Sequence, residues 1–219
     1  MGSAFGWTVA VFAIVWVALA IGGIFRQYKR GEHSIWIVWI AGFFLVVGAS
    51  GFFGSALLAV GVITLPPSFE WPPGYVSGVV ESPSGIEIVP LEPSGRVQVY
   101  GTQWRYIRGW QVGAEGGPFK VEVSEPGKIE VFTLRGNHHF TYSPEGELIA
   151  TTTYKEPYDS LANGGRAQTV PTFPLLWPFS SPFLSMGLVV IGFVVLRLWN
   201  KQRTGGRREV GAPWVAKSR

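Results

Sequence analysis

Three stretches of this chain are free of charged residues over lengths comparable to the thickness of a bilayer, and no other feature limits its possible folds so severely. The first runs from Met1 to Phe25, with an almost unbroken apolar run over Trp7–Phe25. A secretory signal peptide needs its basic residues before the apolar stretch and a small-residue cleavage site after it. Here Arg26, Lys29 and Arg30 follow it, so a first transmembrane helix is expected over about residues 7–25. The second stretch, Ser34 to Phe69, is apolar from Ile35 to about Leu65. As a helix, that apolar part would extend about 46 Å, against a hydrocarbon core of about 30 Å, so a helix over about 35–63 must tilt, protrude or break.

Small residues crowd the second half of that helix. Ser50 with Gly54, and Gly51 with Ser55, form two small-xxx-small pairs, which predicts close packing against another helix. The third stretch, Ala167 to Leu196, carries Pro171, Pro174, Pro178 and Pro182 in its first half. Proline is tolerated in the first turn of a helix, so the third span is placed over about 179–199, starting near Ser181. Trp177 and Trp199 fall at its ends as interfacial anchors.

Charge then sets the expected orientation. The loop 26–34 is net +2, the tail after Leu196 net +6, and Pro66 to Arg166 net −4. Basic residues collect on the cytoplasmic side, which predicts a cytoplasmic loop 26–34 and tail 200–219 and an extracytoplasmic N-terminus and central domain in the cell (inner) membrane. The same distribution accounts for the basic excess through topology and anionic lipid, so no nucleic-acid partner is inferred.

The central region has a different character. Pro66 to Gly95 holds seven Pro and five Ser, and reads as an extended connector (66–95) with at most one short strand near Ile86–Val89. From Arg96 the pattern has period two. One strand is expected through the segment RVQVYGTQWRYIRGWQV, then strands marked by Phe119–Val123, Ile129–Thr133, His139–Ser143 and Leu148–Tyr154. Turn chemistry separates them at Gly116-Gly117-Pro118, Pro126-Gly127, Arg135-Gly136-Asn137 and Pro144-Glu145-Gly146. Short strands at this spacing predict a small antiparallel sandwich or barrel within 96–178. The predicted fold class is therefore an α + β membrane protein with a helix hairpin over 1–65, an external β domain and a C-terminal transmembrane helix.

With no Cys, a disulfide framework, a thiol nucleophile and thiolate metal centres are excluded. His138 and His139 are adjacent, and neighbours on a strand point to opposite faces, so they make a poor pair of metal ligands. Glu122, Glu125 and Glu130 are expected at solvent-facing strand positions or turns. No catalytic motif and no acid within a predicted span is found, so neither catalysis nor an ion pathway is expected of this chain alone. No cofactor is assigned.

An outside N-terminus, a helix pair joined by a short inside loop, and an external β domain whose strand carries Val97, Val99, Gly101, Gln103 and Trp104 together resemble subunit II of haem–copper oxidases. Pro126-Gly127-Lys128, the strand Ile129–Leu134 and His139-Phe140 are similar to the segment of that family leading to a copper-A ligand. The resemblance implies a cupredoxin-like domain, with Trp104 at the electron-entry surface and His139 in a ligand position. It also implies that copper-A is absent, because Glu145 to Arg166 lacks the cysteines, histidine and methionine of the family's second ligand loop. A third, C-terminal helix and a shorter domain are further departures.

The expected role is that of a non-catalytic membrane subunit of a multi-subunit electron-transfer complex. Its partners would be larger integral subunits, lipid and a soluble electron carrier docking at Trp104, Tyr106 and Trp110. An assembly or scaffold subunit of another membrane complex, such as a photosynthetic reaction centre or transporter, is the alternative. A copper-binding protein using His138 and His139 is a second.

Overall fold

A computed structural model of the chain describes residue 22 and residues 35–124, 127–161 and 165–206. The first expected span apart from Gly22, the loop 26–34, Glu125 and Pro126 at the expected turn, and the tail beyond Gly206 lie outside the described residues. Among the described residues two helices, α1 (Ile35–Ala59) and α2 (Pro182–Gly206), flank a body of nine strands. In chain order these are β1 (Tyr75–Glu81), β2 (Glu87–Leu91), β3 (Arg96–Tyr100), β4 (Tyr106–Gln111), β5 (Phe119–Ser124), β6 (Lys128–Thr133), β7 (His138–Tyr142), β8 (Leu148–Thr153) and β9 (Arg166–Thr169). The fold is α + β, and both helices contain segments long and apolar enough to cross a membrane, Trp36–Ala59 and Pro182–Trp199.

The apolar run continues past the end of α1, yet the helix stops where Gly61 takes a left-handed conformation, φ 72°. The amide of Val62 donates to the Leu57 carbonyl and that of Gly61 to the Leu58 carbonyl, the pairing of a Schellman cap. The helix is therefore shorter than the 35–63 expected, because one glycine outweighs the hydropathy of Val62 and Ile63. The α2 helix begins at Pro182 as expected but runs beyond Trp199 to Gly206.

The helices pack antiparallel through small residues. Gly48 and Gly51 lie against Ser185 and Val189, while Gly192 meets Leu45 and Ala41 one to two turns further along. Buried positions along α1 fall at Val38, Ala41, Leu45, Ser55 and Leu58, a three-four spacing that forms one narrow seam. Gly51 and Ser55 belong to it. Gly54 instead faces the ring of Trp71, and Ser50 is exposed, so that half of the predicted interface is corrected.

The strands form two antiparallel sheets in the orders β4-β3-β2-β1-β9 and β5-β6-β7-β8. Each is a meander except at β9, which returns to pair with β1. Sequence patterning located β5 to β8 and their turns. It did not separate β3 from β4. The 3-10 turn Thr102–Trp104, with Gln103 and Trp104 at positive φ, breaks the single strand expected there into a hairpin. The strands β1 and β9 were not expected, and β1 and β2 place the start of the sandwich well before residue 96.

Ile88, Val97, Val99 and Trp110 from one sheet meet Phe119, Val121, Ile129, Val131 and Tyr142 from the other to form the inter-sheet core. The five-stranded sheet is also covered on its outer face, where Val76, Val89, Leu91, Tyr100 and Val170 pack with Trp71, Trp104 and Tyr106. Every residue of β3 is consequently buried. Its inward side chains are valines, but its outward ones are Arg96, Gln98 and Tyr100, and these must find partners in the segment that covers them.

They do so in the connector. The Arg96 guanidinium donates to the carbonyls of Leu65 (3.2 Å), Pro66 (2.9 Å), Phe69 (2.9 Å) and Gly109 (3.1 Å). The Gln98 amide accepts from the Trp71 amide at 2.8 Å and donates to the Trp71 carbonyl at 2.7 Å. The Tyr100 hydroxyl donates to Glu70 at 3.0 Å. The β domain also caps α1, since Gln111 Nε2 donates to the Leu58 carbonyl at 2.6 Å and the Gly116 amide to the Ala59 carbonyl at 3.0 Å.

Two stability predictions follow from this packing. Arg96→Leu strands four backbone carbonyls in the interior and should cost on the order of 3 kcal/mol or more, read by thermal unfolding of the detergent-solubilised chain. Gly51→Leu forces a side chain into Ser185 and should cost about 1–3 kcal/mol in the same assay, whereas exposed Ser50→Leu should cost almost nothing.

Candidate functional site

Two groups of side chains stand out beyond the core. They are the aromatic residues carried by β3 and β4, and a polar cluster on the outer face of the four-stranded sheet.

Among the aromatics, strand parity decides what each residue can touch. Along a regular strand Tyr106 and Trp110 would share a face. The pairing with β3 is irregular, however, placing Tyr106 opposite Tyr100 but Arg108 opposite Val99 and Trp110 opposite Val97. Trp110 therefore turns into the inter-sheet core, 9% exposed, with its ring centroid 5.5 Å from that of Tyr142. It cannot contribute to the docking surface expected of it.

Trp104 and Tyr106 lie on the outer face, with ring centroids 5.9 and 5.7 Å from that of Tyr100. Tyr106 is partly committed to the connector, its hydroxyl donating to the carbonyls of Pro67 (2.6 Å) and Phe69 (2.8 Å). Burial raises the pKa of the Tyr100 hydroxyl, with Glu70 adding to the rise, and burial likewise raises that of Tyr106. Both remain neutral donors in this network. Trp104, half-buried at the tip of the β3–β4 hairpin, is the aromatic of the three best placed to meet another molecule.

The histidines separate as alternation requires. On β7, His138 pairs with Thr153 and points to the core side, near Phe140, with its Nδ1 buried and lacking a hydrogen-bond partner. His139 lies on the opposite face, stacked on Phe132 with ring centroids 4.4 Å apart. Its Nε2 lies 2.7 Å from Glu130 Oε2 and its Nδ1 lies 3.3 Å from Thr152 Oγ1. Both ring nitrogens are engaged by protein groups. Among the described residues no group of three or more His, Cys, Asp or Glu is arranged to hold a metal ion.

Glu130 is the hub of this cluster rather than a loosely solvated acid. Besides His139 it accepts hydrogen bonds from Thr141 Oγ1 at 2.7 Å and Ser124 Oγ at 2.9 Å. Burial opposes its ionisation, but the hydrogen bonds from Thr141, Ser124 and His139 together prevail and hold its pKa below the ordinary carboxylate value. The Thr152–His139–Glu130 chain has the connectivity of a base-activated hydroxyl. It lies across a sheet face, with its hydroxyl on an exposed edge strand, and its evident effect is to fasten β6, β7 and β8 together. Sequence spacing could not have identified it, since the three residues meet only through strand register.

No family model matches the chain, and no curated protein matches it. Among solved structures, the selenomethionine form of virginiamycin B lyase from Staphylococcus aureus is similar over 43% of this chain and 31% of that one, at 11% identity and a TM-score of 0.33. A likeness at that level bears on neither fold nor function.

The Glu130 cluster generates a pH prediction. A carboxylate whose folded pKa lies below its unfolded value stabilises the fold fully above the unfolded value, and that contribution disappears as pH falls through the folded one. Acid unfolding of the solubilised chain should therefore steepen below about pH 4.5, and Glu130→Gln should flatten that acid limb while lowering stability near neutrality.

Proposed function

We propose that this chain is a non-catalytic integral membrane subunit of a multi-subunit electron-transfer complex, with a structural and docking role carried by an extracytoplasmic β-sandwich that lacks copper-A. The observation that carries the membrane part is the contrast between the narrow α1–α2 seam and the bulky apolar side chains left bare around it. Trp36 is 71% exposed, Phe43 62% and Phe183 87%. In water such a surface would drive association, whereas lipid or other membrane helices would cover it without cost.

The antiparallel packing of the helices supports one orientation. The β domain joins α1 at Ala59 and α2 at Pro182, so Ile35 and Gly206, the helix ends next in sequence to the basic loop and the basic tail, point away from it. Positive residues favour the cytoplasm, which leaves the sandwich and its net negative charge outside. The assignment to an electron-transfer complex rests on the subunit II resemblance around Val97–Trp104 and His139-Phe140. The cupredoxin-like part of that resemblance rests on these motifs, not on strand order, which is a meander. A soluble carrier would dock at Trp104, the partly exposed tip of the β3–β4 hairpin.

Solubilisation in a mild detergent, with a tag on the chain, tests the reading. Larger membrane subunits with haem absorption bands should co-purify, and Trp104→Ala should slow turnover with the soluble carrier about tenfold without changing those bands. Co-purification with chlorophyll proteins or a transporter would transfer the chain to the scaffold alternative. Isolation of the chain alone would contradict the proposal.

A further inference from the structure

A cleft lies between the outer face of the five-stranded sheet and the 3-10 segment Pro174–Ser180 that leads into α2. Trp71, Pro73, Tyr75, Pro90, Glu92 and Phe179 line it. Its volume is about 140 Å³. That is close to the cavity of about 150 Å³ that accommodates benzene in another protein. The rings of Trp71 and Phe179 meet edge to face at 6.3 Å to form one wall.

The cleft contains one charged group, and that group lacks a counter-charge. Among the described residues the Glu92 carboxylate has neither a hydrogen bond nor an ion pair, and the titratable group that faces it is the neutral phenol of Tyr158. Arg96, close in sequence, is directed to the other end of the connector by its four carbonyl partners. Burial alone raises the pKa of Glu92, as expected where water is partly excluded and nothing replaces it. A half-desolvated carboxylate without a partner is destabilised, and a cation entering the cleft would relieve it. Aromatic walls add their own attraction for a cation, most of all for one whose charge is spread over methyl groups and weakly hydrated.

We infer that this cleft binds a small organic ammonium group, held electrostatically by Glu92 and by the rings of Trp71, Tyr75 and Phe179. The cleft sits at the end of the helices nearest the β domain, so the group could be a lipid headgroup or a soluble amine. The inference does not depend on which complex the chain joins.

Choline binding to the full chain in neutral maltoside micelles tests it, with 3,3-dimethylbutan-1-ol as the uncharged isostere. Saturable binding is expected, about tenfold or more tighter for choline than for the alcohol. Glu92→Gln should weaken choline binding by about tenfold without changing that of the alcohol, and affinity for choline should rise with pH through the titration of Glu92. Tyr75→Ala removes a side chain that is 72% exposed, so it leaves the core intact and should still weaken binding about threefold. Added phosphatidylcholine that displaces choline identifies a lipid headgroup as the source, and failure to displace identifies a soluble amine; both support the site. No saturable binding, equal affinity for the alcohol, or binding unchanged in Glu92→Gln and Tyr75→Ala would overturn it.

Discussion

The guanidinium of Arg96 is the fixed point about which the rest of the molecule is arranged. It is fully buried and meets no carboxylate among the described residues, and its charge is spread over the carbonyls of Leu65, Pro66, Phe69 and Gly109. A buried cation tolerates this only where the carbonyls are held in place and water is excluded. The connector must therefore lie across the sheet in one position. Gln98 and Tyr100, the next two outward residues of β3, continue the same attachment to Trp71 and Glu70. An otherwise irregular, proline-rich segment thus acquires a defined path through side chains of a neighbouring strand.

That attachment determines how the β domain stands on its helices. The carbonyls at the end of α1 are satisfied partly by its own Schellman turn and partly by donors from Gln111 and Gly116 of the sandwich. At the other end of the domain, β9 pairs with β1, and the Val170 amide donates to the Gly74 carbonyl. The entering and departing chains are thereby brought side by side above the helix pair, where Ser185 is buried against Gly51 and donates to the Pro178 carbonyl. The sandwich thus caps α1 directly, while α2 is held by Ser185 to the 3-10 segment Pro174–Ser180 that leads into it.

Much of this was legible in the sequence where one local signal sufficed. Alternation and turn residues marked β5 to β8, and Pro182 marked the start of α2. Elsewhere two signals competed. The alternation of Val97, Val99 and Tyr106 ran on across Gly101–Arg105 and concealed a hairpin, because a 3-10 turn with two residues at positive φ has no fixed composition. Hydropathy beyond Ala59 concealed the helix stop at Gly61, and the polar sequence Arg166–Thr169 gave no periodic hint of β9. The functional residues were less visible still. Arg96 at the start of a strand reads as a solvated charge until the connector covers it. Trp110 reads as a surface aromatic until the irregularity in β4 assigns it to the core, and Glu130 meets His139 only through the pairing of β6 with β7.

The connector is a structural part of the sandwich, held by the outward side chains of β3. Backbone hydrogen exchange on the full detergent-solubilised chain tests this directly. The Trp71 amide, donated to Gln98, and the Gly109 amide, donated to the Pro67 carbonyl, should exchange as slowly as the amides of β3 itself. Fast exchange at Trp71 and Gly109 while β3 stays protected would mean that the connector lies loose on the sheet, and that the helices and the β domain are joined only by a tether.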